Sequence, residues 1–253
     1  HALRAVASVF NLLMSSLLAV VFFFLLRKMA ISRMAAFAVS LLLALATPLW
    51  SYSGTMFKEP LTMIGVLLSF YCLVANDANF TGRAPLFRRT FLAGVMAGTA
   101  LASHITAILF APFLFIYALY PYGKRSGMLF KDADIRPAIR QPSKFSAGLV
   151  FVSGVSMLAG LLAAYNYSRF GSILETGRSE ALEISIRYGV WVAPWEGLMG
   201  FIASPGKGLF WFPPIVIAGL WFWPQMGRRH RFLSILIIVM IVFRTVFLSC
   251  RSD

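Results

Sequence analysis

The sequence predicts an all-α protein, a polytopic bundle of transmembrane helices, on three observations. Of its 253 residues, 59% are hydrophobic and only 13% are charged, against about 45–50% and about 25% in soluble domains. No water-soluble core of this size buries so much apolar surface, so lipid must be the solvent. The apolar residues also fall in runs near the roughly 20 residues needed to cross the hydrocarbon. Finally, the basic residues cluster between those runs rather than within them.

Taken in order, the runs are residues 6–26, 34–51, 60–75, 145–166, 208–222 and 232–249. Between the third and fourth lies an uncharged stretch, 90–120, too long for one comfortable span and short for two. The positive-inside rule decides between them. Arg27-Lys28 with Arg33, Arg83 with Arg88-Arg89, the basic loop 124–144, and Arg228-Arg229 with Arg231 are dense in Lys and Arg and belong in the cytoplasm. Neighbouring cytoplasmic segments are separated by an even number of crossings. Two short helices are therefore expected between Arg89 and Lys124, reversing near Ser103-His104. The count is about eight helices in a single transmembrane domain, 1–253. About 15 of the 23 basic residues then face the cytoplasm against about 3 acidic ones, the expected bias.

That placement also accounts for the net charge of +14. It is a topology signal, and nucleic-acid binding is excluded because no basic-aromatic platform or recognition motif accompanies it. Cys72 and Cys250 lie in or beside apolar stretches, far apart, and build no disulfide framework. The chain starts at His1 and ends at Cys250-Arg251-Ser252-Asp253 directly after an apolar run. Both ends read as cuts, so a fragment of a larger protein is expected.

Candidate chemistry falls at the outer loops. Glu59, just before Pro60 at a helix start, is either an interfacial charge or a carboxylate at the mouth of a water-filled cleft. His104 sits at the hairpin reversal, as a solvated turn residue or as a contact to an anionic group. Arg244 is a charge within a helix and receives no role. The Ser204-Pro205-Gly206-Lys207-Gly208 start of a helix offers bare amide groups and a lysine to an anion, although its spacing is not that of a Walker A loop. Arg169 and Lys207 flank one outer loop, which favours a phosphate site over a simple turn. A short amphipathic helix or a strand fits residues 180–191 equally. There is no HExxH, Cys/His metal cluster or Ser-His-Asp spacing, and the sequons at Asn79 and Asn166 are read as chance.

Four segments carry a family resemblance: Ala46-Thr47-Pro48-Leu49-Trp50-Ser51-Tyr52-Ser53, Phe57-Lys58-Glu59-Pro60-Leu61, Asn166-Tyr167-Ser168-Arg169-Phe170-Gly171-Ser172, and Ser204-Pro205-Gly206-Lys207-Gly208-Leu209. Together they resemble bacterial polytopic glycosyltransferases of the GT-C membrane fold, relatives of the protein O-mannosyltransferases and of the aminoarabinose transferases of lipid A. The likeness runs from about residue 5 to about residue 243. It implies a sugar donor linked to a polyprenyl phosphate, an outward-facing cleft, and residence in a bacterial cytoplasmic (inner) membrane.

In that family Arg169, Lys207 and the helix start with Ser204 and Gly206 would hold the departing phosphate, and Glu59 would line the cleft. His104 falls where relatives often carry Lys or Arg. The resemblance puts the catalytic carboxylate in a first outer loop upstream of residue 1. No residue of this chain is therefore assigned to catalysis, and the fragment alone is expected to be inactive. No cofactor is assigned, and a divalent metal is left open. The alternative from another class is a polytopic transporter or a non-catalytic membrane partner; inverted repeats would support a transporter, and none is visible.

Overall fold

The protein is seen in a computed structural model that describes residues 2–29, 31–54, 58–74, 83–119, 144–175, 193–203, 219, 223–224, 227 and 231–250. Among these residues there is helix and no strand. The helices are α1 (Ala2–Lys28), α2 (Arg33–Leu45), α3 (Leu49–Ser53), α4 (Glu59–Val74), α5 (Arg83–Ser103), a 3-10 turn (Ile105–Leu109), α6 (Ala111–Leu119), α7 (Lys144–Phe170), α8 (Pro194–Ala203) and α9 (Arg231–Ser249). Three of them are long and apolar enough to cross a membrane: Val9–Lys28, Phe145–Phe170 and Arg231–Ser249.

The low burial of these helices agrees with a lipid surrounding. Only 17–22% of each of those three spans is buried within the protein. On α1 the buried stripe is Asn11, Ser15, Leu18 and Leu25, while Val9, Phe10, Leu12, Leu13, Leu17, Val20 and Phe24 are exposed. The spacing of the stripe is helical, and it mixes Asn11 and Ser15 with Leu18 and Leu25 while large apolar side chains cover most of the outside. Such a surface suits contact with hydrocarbon. The hydroxyls follow the same logic. Ser16, Ser40, Thr99 and Ser103 each donate to the carbonyl four residues earlier, at 2.8, 2.8, 3.0 and 2.8 Å, which satisfies them within their own helices.

The described residues form two compact units, His1–Leu158 and Ala159–Asp253. The first holds α1 to α6 and the start of α7. Its helix directions can be read from contacts. Met14 and Leu18 of α1 share a cluster with Leu61 and Ile64 of α4, and Lys28 lies over Tyr71, so α1 and α4 run parallel. Leu43 of α2 joins the same cluster, so α2 returns antiparallel to α1. Gly65 of α4 abuts Ala100 of α5. Gly94 and Gly98 of α5 meet Phe151–Gly154 and Val155–Leu158 of α7 in parallel order. Phe115 of α6 stacks near Phe151, with ring centroids 6.1 Å apart, and Leu119 covers Gly148, so α6 runs opposite to α7. The chain therefore reverses between α5 and α6, and the break falls at Ser103-His104, where the charge parity of the sequence requires it.

Small residues make α5 the hub. Ala93, Ala97 and Ala100 are buried, and on a second face Gly94 and Gly98 are pressed against α7. A Gly-x-x-x-Gly pair lets two backbones approach closely where lipid offers no hydrophobic drive to association. Both legs of the hairpin are short: the uncharged part of α5, 90–103, rises about 21 Å, and the 3-10 turn with α6, Ile105–Leu119, about 23 Å.

Two boundaries differ from the sequence reading. The run 34–51 is not one helix, because α2 stops at Leu45 and α3 begins at Leu49. Pro48 has no N–H to continue the ladder, and Thr47 Oγ1 both donates to the Leu43 carbonyl (2.6 Å) and accepts from the Leu49 amide (3.2 Å). In addition, α5 begins at Arg83, so the basic residues of that segment sit on a helical turn rather than in a loop.

In the second unit α8 packs on α9. Gly197 faces the backbone of Ser249 with no room for a Cβ atom. Trp195 and Met199 of α8 and Ile235, Val239 and Val242 of α9 are exposed. Part of the expected outer loop is thus helical, over Pro194–Ala203. The run 208–222, apart from residue 219, and the segment 180–191 lie outside the described residues.

Candidate functional site

Glu59 opens α4, and Pro60 behind it is buried. Proline suits the first turn because its missing N–H would have had no helical partner. The Glu59 side chain is half-buried, and its Oε2 is a buried oxygen without a hydrogen-bond partner among the described residues. A carboxylate oxygen left this way beside the open amides of a helix start has acceptor capacity to offer a ligand.

His104 lies at the same end of the first unit. From the contact of Gly65 with Ala100, α4 runs back about 9 Å to Glu59 and α5 runs on about 6 Å to His104. The histidine is extended, with φ −152° and ψ 122°, and caps the 3-10 turn: its Nδ1 accepts from the Thr106 amide at 3.2 Å. The Thr106 hydroxyl lies 3.1 Å from the same nitrogen. Accepting from a backbone N–H requires Nδ1 to be unprotonated, so the capping ring carries its proton on Nε2. His104 is therefore a structural cap first. Replacing it with Ala should cost about 1 kcal/mol, as at other helix caps. His104→Asn, whose side-chain oxygen can accept from the same amide, should recover most of that loss. The unfolding midpoint in detergent reads the difference.

Arg169 belongs to the second unit, in the last turn of α7. Its Nη1 donates to Tyr165 Oη at 2.7 Å, and the guanidinium lies 5.2 Å from the Phe170 ring centroid and 6.0 Å from that of Tyr165. Gly171 ends the helix with φ +73°, its amide donating to the Tyr167 carbonyl at 2.9 Å. This left-handed conformation is the one glycine adopts without penalty. Asn166 is buried and reaches the Ile173 carbonyl at 3.4 Å, folding the chain back after the helix. The segment thus presents an exposed arginine already held by two aromatic rings. Most of its planar set of donors remains to bind an anion.

Ser204, Gly206 and Lys207 lie outside the described residues. The structure brings Glu59 and His104 to one end of the first unit and orders Arg169 in the second. Among the described residues there is no group of three or more His, Cys, Asp or Glu that could hold a metal ion.

No protein-family model, curated protein or solved structure matches this chain. The functional reading consequently rests on its own residues. Sequence reasoning passed over several of them: Asn11, Ser15, Ser69 and Thr90 are buried polar groups inside apolar helices, and Ser15 and Ser69 have hydroxyls without a partner among the described residues. The four-residue spacing of Asn11 and Ser15 within an apolar run was the available signal, since it puts both on one face.

Proposed function

We propose that this chain is the membrane-embedded part of a glycosyltransferase that takes a sugar from a polyprenyl-phosphate donor and passes it to an acceptor on the outer face of the membrane. Lys28 and Arg89 lie at the basic end of the first unit, which the charge bias assigns to the cytoplasm. The opposite end, with Glu59 and His104, then faces outward, where the resemblance puts the cleft.

The observation that carries this reading is Arg169. It stands at the end of a membrane-length helix, in the Asn-Tyr-Ser-Arg-Phe-Gly-Ser segment, with its guanidinium braced by Tyr165 and Phe170. A planar cation at the rim of a span suits a lipid phosphate, which stays at the interface while its chain runs in the hydrocarbon. Arg169 would stabilise the charge that develops on the phosphate as the glycosidic bond breaks.

The test is donor recognition by the 253-residue chain in nanodiscs. A polyprenyl-phosphate sugar should bind saturably and be displaced by polyprenyl phosphate, but not by the unphosphorylated polyprenol. Equal displacement by the polyprenol, or no saturable binding, rejects the assignment.

A further inference from the structure

The basic end of the first unit carries an inference independent of the glycosyltransferase reading. Three helices converge there: the last turn of α1, the last turn of α4 and the second turn of α5. The Lys28 ammonium sits 4.1 Å from the centroid of the Tyr71 ring. Arg89 stands at the same end, since α5 leads back from the contact of Ala100 with Gly65 toward the end of α4. Arg27 closes the turn after α1 by donating to the Ile31 carbonyl at 2.8 Å, and Arg33 and Arg88 are exposed.

A lysine on a solvated rim extends its stem and disperses its charge into water. Lys28 instead folds back over an aromatic face, a contact that gains strength where water is partly excluded. Its charge is thereby held at the seam between α1 and α4, with Arg89 of α5 at the same end of the unit. Both residues are half-buried. One turn back along α1, Phe24 is exposed and meets the Phe23 ring edge-on at 5.4 Å. That places an exposed apolar side chain one helical turn from Lys28, on the side of the span away from the basic end.

A ligand with a phosphate at one end and an acyl chain at the other matches both features. We propose that this end of the first unit is a binding site for an anionic phospholipid of the adjacent leaflet, its phosphate held between Lys28 and Arg89 and an acyl chain lying along Phe24. Tyr71 positions the lysine. Coulombic attraction to the leaflet adds the exposed Arg27, Arg33 and Arg88 as a weaker outer ring.

The test uses the intact chain in phosphatidylcholine nanodiscs with increasing phosphatidylglycerol, counting retained lipids by native mass spectrometry and following the unfolding midpoint. Phosphatidylglycerol should be retained in preference to phosphatidylcholine and should raise the midpoint, less so at high salt. Lys28→Gln and Arg89→Gln should each weaken retention about fivefold, and the double variant about 25-fold. Lys28→Arg and Tyr71→Phe keep the charge and the aromatic face and should stay within about twofold of the parent. If phosphatidylcholine is retained as well as phosphatidylglycerol, or if the double variant keeps the parent's preference, the site does not exist. Should a Gln variant not fold, loss of preference in Lys28→Arg or Tyr71→Phe would overturn the proposal in its place.

Discussion

Replacing Gly94 with Leu should separate α5 from α7 and destabilise the first unit by about 3 kcal/mol or more. A Cβ atom at Gly94 would run into the carbonyl of Phe151 and the backbone of Gly154, and Gly154 in turn faces the Phe91 carbonyl and the Val95 amide. The obstacle is backbone on both sides, so no side-chain rotation relieves it, and a helix pair at this distance has only the choice of moving apart. Even Gly94→Ala should be costly, because the first added carbon already meets the obstruction. Gly98→Ala is milder in degree only: its Cβ would come 2.8 Å from the Leu158 Cβ and 3.2 Å from the Val155 carbonyl, so the two helices must still part by a few tenths of an ångström. Gly160→Leu is the control, since nothing lies within 4 Å of that position; it should move stability by less than about 0.5 kcal/mol. Unfolding in detergent, read by helix content, gives all four. Equal stability of the Gly94 and Gly160 variants would mean that α5 and α7 do not pack as described.

The second large effect concerns Arg169. Arg169→Ala should weaken binding of a polyprenyl-phosphate donor by about 10- to 100-fold, the range for one charge-assisted contact. Arg169→Lys keeps the charge but loses the planar fork and the stacking on Phe170, and should fall in between. Tyr165→Phe removes the 2.7 Å bond that orients the guanidinium and should cost only a few-fold, because the rings remain. These variants are read by donor titration alongside the helix signal, which should be unchanged since Arg169 is exposed. Donor binding at parental strength in Arg169→Ala would remove this residue from the phosphate site while leaving the helices intact.

The helical class and the hairpin reversal were legible in the chain because each depends on solvent and charge. Lipid solvent is written in composition, and the parity of basic segments leaves a turn at Ser103-His104 as the one consistent answer. Interruption of the helix at Thr47-Pro48 was also written there, but the apolar run across it drew the eye past a proline that cannot continue a ladder. Gly94 and Gly98 were less legible. Glycines in an apolar run do not declare which partner they admit, and contact with α7 depends on residues some 60 positions later. His104 illustrates a different limit. Its position was evident, but its cap on Thr106 depends on a local backbone conformation that composition and spacing do not encode. The bracing of Arg169 lies between. Tyr165 stands four positions earlier, on the same helix face, whereas the Phe170 contact depends on how the helix ends at Gly171.

The short hairpin has a mechanical consequence for the surrounding lipid. Its legs of about 21 and about 23 Å fall some 7–9 Å short of a hydrocarbon layer about 30 Å thick, while α1 and α7 are long enough to cross it. Hydrophobic mismatch of this kind is relieved by local thinning of the bilayer, by flanking side chains reaching to the interface or by association. Where thinning relieves it, the membrane would dimple beside the hairpin, and headgroups and water would sink toward the His104 turn. A phosphate arriving there would travel less far into the oily layer than elsewhere on the same molecule.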